Sequence, residues 1–95
     1  MSQADPDHLI EALIGQRVVL DLTSRYVCLG TLDDIDRTFL ALIDADVHDL
    51  RDGQSTREIY VYDAARLGIR RNRARVLIRR DEIVAITRFV DIAED

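Results

Sequence analysis

The residues whose types and spacing could do chemistry lie in two places. Asp44, Asp46 and His48 fall at i, i+2 and i+4 in a run of strand-forming residues. On an extended strand their side chains share one side, and such oxygen and nitrogen donors can hold a divalent ion. Three donors with no fourth in view make a weak metal signature, and a solvated strand face explains the same spacing, so no metal is assigned. Further on, Arg70, Arg71, Arg73 and Arg75 surround Asn72 and form the densest positive charge in the chain. That run suits contact with nucleic-acid phosphates. It equally suits a solvated strand that balances acidic residues of the same or a neighbouring subunit. Cys28 is the only cysteine, which precludes an intramolecular disulfide, and a lone Cys on a strand reads as a small core residue rather than a nucleophile. His8 lies on the polar side of a short helix and takes no role. No paired His and carboxylate, activated nucleophile or phosphate-cradling Gly-rich loop can be assembled, so the sequence points away from an enzyme and calls for no cofactor.

Composition bounds what must position these groups. Ninety-five residues, 47% of them hydrophobic, suffice for one domain with one modest core. The stretch 1–95 therefore reads as a single domain. No apolar run approaches the roughly 18 residues of a membrane span, and the acidic N-terminus is unlike a secretory signal, so the expectation is a soluble protein of the cytoplasm. The net charge of −5 is unevenly spread: residues 1–56 carry 11 acidic and 4 basic side chains, residues 57–88 carry 4 and 9. All 13 cations are Arg, which favours planar stacking and bidentate phosphate contact, although a genomic codon bias would give the same count.

The element pattern is mainly β. Asp5 as N-cap, Pro6 at the first helical position, and Leu9, Ile10, Leu13 and Ile14 predict a helix of about nine residues ended by Gly15, whose apolar stripe covers an open face of a sheet. Arg17 to Thr23 alternates as a half-buried strand with Val18, Leu20 and Leu22 inward. After a turn at Ser24-Arg25, two apolar runs, Val27 to Leu32 and Phe39 to Ile43, flank a polar loop and predict a hairpin. Gly30 inside the first run marks a sharp bend or a close approach. The following strand is expected to keep Phe39, Ala41, Ile43, Ala45 and Val47 on one face. Residues 49–54 are turn-rich. Ser55-Thr56-Arg57-Glu58 has capping-box form, and Gly68 suits a helix C-terminus, so 56–67 reads as a helix with Ile59, Tyr62, Ala65 and Arg66 on one side. The β-rich Ile59-Tyr60-Val61-Tyr62 leaves a strand open as the alternative. Strands over 75–79 and 83–88 follow, joined by Arg80-Asp81-Glu82, with Phe89, Val90 and Ile92 packing the end of the sheet. The sum is a five-stranded, strongly bent antiparallel sheet, a small open barrel, with an N-terminal helix and a helical insertion before strand four.

The residues also carry a family likeness. Leu20 to Asp46, with Gly30 in a bent second strand and Asp36 six residues on, resembles the first motif of the Sm and Sm-like (LSm, Hfq-like) proteins. Val76 to Ile86 resembles the second, with Ile78-Arg79 matching and Arg80 where Gly is usual. The likeness covers the chain apart from the insertion at about 48–73. It implies a homo-oligomeric ring of six or seven subunits, in which the open edges of strands four and five pair between neighbours. An apolar strand such as Val76-Leu77-Ile78 left at a bare edge would otherwise invite aggregation. It further implies a base-binding pocket built from the loops after strands two and four.

Carried onto this chain, Asp36 and Arg79 remain in that pocket, Thr38 takes the stacking position and Leu40 the Asn position. Leucine can neither donate nor accept a hydrogen bond, so the usual uridine code is missing. Arg79 either meets RNA phosphates or forms an inter-subunit ion pair with Asp36 or Asp34. The expectation is an Sm-like ring that binds single-stranded RNA, or acts as an RNA chaperone, with non-standard specificity through Asp36, Thr38, Arg79, Arg80, Arg70, Arg71 and Arg73. The alternative is a scaffold or protein-interaction ring without RNA.

Overall fold

The computed structural model describes residues 6–51 and 56–92. A short helix α1 (His8–Glu11) leads into strands β1 (Arg17–Leu22), β2 (Tyr26–Ile35) and β3 (Phe39–Asp49). Helix α2 (Arg57–Leu67) precedes β4 (Arg73–Arg79), and a 3-10 turn (Arg80–Glu82) joins β4 to β5 (Ile83–Arg88). A last 3-10 turn spans Phe89–Asp91. The strands form one antiparallel sheet in the order β4-β3-β2-β1-β5, so β4 and β5 are its edges.

The bend is made where the sequence places Gly30. Opposite it β3 carries an extra residue: Leu29 pairs with Asp46 but Thr31 with Ile43. Asp44 takes a left-handed conformation there (φ 49°), which short polar residues tolerate better than most. A Cβ at Gly30 would lie 3.1 Å from the Ile43 carbonyl oxygen and 3.1 Å from the Ala45 Cβ, so only glycine lets the strands close on this bulge without displacement.

The bulge also corrects the expected facing of β3. Leu40, Leu42, Ala45 and Val47 share the inner core with Val18, Leu20, Cys28, Leu32 and Ile78. The inward phase is thus even before Asp44 and odd after it, so Phe39, Ala41 and Ile43 lie opposite Ala45 and Val47.

A second apolar cluster lies on the other side of the sheet. Val19, Val27 and Leu29 are covered by Ala64 of α2 and by Phe89, with Tyr60, Val61, Ala65 and Ile92 packed around them. The inserted segment is a helix, as the capping pattern predicts, but its N-cap is Thr56, whose side chain accepts from the Ile59 N–H. Its buried stripe is Tyr60, Val61, Ala64 and Ala65, whereas Ile59 and Tyr62 of the predicted stripe are exposed. Helix α1 is shorter than predicted, continuing as turns to Gly15, with Ile10 and Leu13 on the core and Leu9 exposed. The predicted caps Asp5 and Ser55 lie outside the described residues. At the C-terminal end Phe89 and Ile92 pack as expected, while Val90 is solvent-facing.

Candidate nucleic-acid interface

Asp36 builds the loop between β2 and β3. Its carboxylate accepts from the backbone N–H groups of Phe39 (2.6 Å) and Thr38 (2.8 Å), and its own N–H donates to the Phe39 carbonyl. These two amides hold the carboxyl below its ordinary range. The β4–β5 turn is drawn against this loop, because the Arg80 N–H donates to the Thr38 carbonyl at 2.8 Å and Phe39 pairs with Arg79 in the ladder. Asp36, Thr38, Arg79 and Arg80 are thereby brought together, from segments more than forty positions apart in the chain.

The two arginines there differ in how they are held. Arg80 is three-quarters covered; its guanidinium donates to the Asp36 carbonyl at 2.8 Å and takes the Asp7 carboxylate with both terminal nitrogens, at 2.9 and 3.2 Å. This contact depresses the Asp7 pKa and raises that of Arg80. Arg80, standing where the resembled motif has Gly, therefore ties α1 to both loops. Arg79 is solvent-facing and pairs with exposed Asp81 at 2.9 Å, a surface contact that costs little to exchange. Leu40 is buried in the core and cannot line a pocket.

The rest of the predicted cationic set sits elsewhere. Arg73 pairs opposite Ala45 and Arg79 opposite Phe39, so Arg70, Arg71 and Arg73 gather at the far end of β4, roughly 20 Å away at strand rise. Arg71 pairs with Asp44, Arg73 donates to the Asn72 carbonyl, and Arg70 is exposed. The seven candidate residues thus form two surfaces, one at each end of β4.

The same bulge separates Asp44 from Asp46 and His48, and no group of three or more His, Cys, Asp or Glu among the described residues could hold a metal. Asp46 and His48 point instead under α2. The Asp46 carboxylate accepts from the Tyr60 hydroxyl and from Asn72 Nδ2 (2.8 Å), and the His48 and Tyr60 rings stack at 4.0 Å. Asn72, read only as part of a basic run, is the clamp between β3 and β4: it also accepts from the Val47 N–H (3.0 Å) and donates to the Val47 carbonyl (3.1 Å). Asp7 and Asn72 escape a sequence reading because their partners are distant; Arg80 in place of Gly is the one signal that a local carboxylate was required.

Both sheet edges expose apolar side chains. Leu77 on β4 is 54% exposed and Val84 on β5 is 67% exposed.

No family model and no curated protein sequence matches the chain. Solved structures do. The Sm protein of Pyrococcus abyssii, determined in complex with a uridine heptamer, superposes with a TM-score of 0.60 at 18% identity, over 90% of this chain and 99% of that one. An Sm-like protein of Archaeoglobus fulgidus gives 0.59 at 13% identity, over 93% and 99%. A chain of the NatC complex bound to Gag peptide and CoA gives 0.53 at 19% identity, over 81% and 86%. The chain has the Sm-like fold, as its paired motifs imply.

Proposed function

We propose that this Sm-like domain is a non-enzymatic, RNA-binding protein that assembles with identical copies into a ring of six or seven subunits in the cytoplasm. The observation that carries this reading is the pair of open edges: β4 and β5 bound the sheet and present Leu77 and Val84 to solvent. A neighbour's β5 laid against β4 satisfies both edges' backbone groups and covers both side chains. Closing the circle uses every edge once. The superposition with an Sm protein that was solved holding a uridine heptamer supports an RNA ligand.

Within this reading Arg79 meets phosphate at the loop surface beside Thr38, while Arg80 and Asp36 hold the two loops in register. Arg70, Arg71 and Arg73 offer phosphates a second track. With Leu40 buried and no Asn to read a base edge, the ring contacts backbone more than base, so specificity for uridine is weak. Fluorescence anisotropy with U-rich and A-rich single-stranded oligonucleotides tests this. Affinities for the two should agree within a few-fold and fall steeply with salt, and Arg79→Gln should lower the salt slope by about one charge per subunit engaged. Flat anisotropy at low salt for both oligonucleotides would overturn the RNA reading and leave a scaffold.

A further inference from the structure

The Asp46 site under α2 is not absorbed by the reading above. It opens into a cavity of about 440 Å³ whose walls include Asp46, His48, Tyr60, Asp63, Leu67 and Arg70. Asp46 is only 7% exposed, yet the donors that reach its carboxylate are neutral: a phenol and an amide. Among the described residues no cationic side chain forms an ion pair with it. A buried carboxylate is ordinarily matched by a cation, since desolvating a lone charge is expensive. Burial and the adjacent carboxylate both push the Tyr60 phenol up, so it stays a proton donor and supplies no charge of its own. Asp46, held only by neutral donors, therefore lines a cavity with a stacked aromatic pair on its wall and a second carboxyl side chain, Asp63, on α2.

We propose that this cavity binds a guanidinium group. A planar, weakly hydrated cation with several donors suits a carboxylate beside aromatic rings better than a strongly hydrated ammonium or a metal ion does. The guanidinium displaces water, donates to the free lone pairs of Asp46 and to Asp63, and lies against the Tyr60 and His48 pair. Its apolar stem runs along Leu67. Two sources present this chemistry, a free guanidino compound and an arginine side chain of a peptide. Arg70 at the wall separates them, because it pairs with the carboxylate of free arginine and repels a capped arginine. This inference stands without RNA and without the ring.

The test is isothermal titration of the full chain with butylguanidinium, butylammonium, free arginine, a capped Gly-Arg-Gly peptide and magnesium alone, with thermal melting in parallel. Saturable binding of butylguanidinium should exceed that of butylammonium several-fold. Asp46→Asn should weaken it tenfold or more, and Asp63→Asn, an exposed position that leaves the core intact, several-fold. Arg70→Gln should weaken free arginine and leave the capped peptide unchanged or tighter. Absence of binding at millimolar guanidinium, equal binding of butylammonium or magnesium, or binding indifferent to Asp63→Asn would each overturn the proposal.

Discussion

At the scale of single residues, carboxylates organise this molecule more than its arginines do. Asp36 caps two amides of its loop, Asp7 receives Arg80, and Asp49 is held by the Arg51 side chain and backbone and by Arg25. All three have pKa values depressed below their ordinary 3.8. A carboxyl depressed in the folded state adds stability above its unfolded value and loses it as pH falls through its folded one. Urea midpoints should thus be level down to about pH 4 and decline below it, and the decline should be shallower in Asp36→Asn. The Asp7–Arg80 contact should show as coupling: Asp7→Asn with Arg80→Gln should cost less together than the sum of the single changes, measured by chemical denaturation. Additive costs would mean that the Arg80 side chain acts through the Asp36 carbonyl alone.

At the scale of elements, the β2–β3 hairpin with its bulge decides the rest. Gly30→Ala must push its new carbon against ladder backbone, which cannot swing aside as a side chain could. It should destabilise by about 1–3 kcal/mol, as overpacking does, read from urea unfolding; a neutral result would show that the bulge relaxes. Most of this layer was legible in the sequence. The strand order in the chain, the Gly30 bend, the helix over 57–67 and the 80–82 turn follow from alternation, capping and turn chemistry. What escaped was two-sided burial. The first strand reads as half-buried, but Val19 on its other face is covered by α2 together with Val27 and Leu29 of β2, and a helix that packs from the outside leaves no period in the strands beneath it. Of the predicted α2 stripe only Ala65 packs on the sheet, since the helix's apolar residues ring more than one side. The facing of β3 failed at a single extra residue, because a period-two pattern has no way to announce where a bulge resets it. At the site, the two loops were foreseen as neighbours, but the basic run was joined to them in sequence and is parted from them by the length of β4.

At the scale of the whole molecule, the proposed assembly rests on the two open sheet edges. Among the described residues the sheet ends on β4 and β5, each with one edge unpaired and a large apolar side chain in water, and the sheet does not close into a barrel. Replacing Leu77 and Val84 by Arg would place like charges on both proposed contact edges, leaving the inner core untouched, so the double variant should fold and remain single. Light scattering on a sizing column tests the central claim most directly. The wild-type chain, 10.9 kDa alone, should elute as a particle of six or seven copies that does not dissociate on dilution, and the Leu77→Arg, Val84→Arg variant as one copy. A wild-type particle of one chain mass at high concentration would contradict the account.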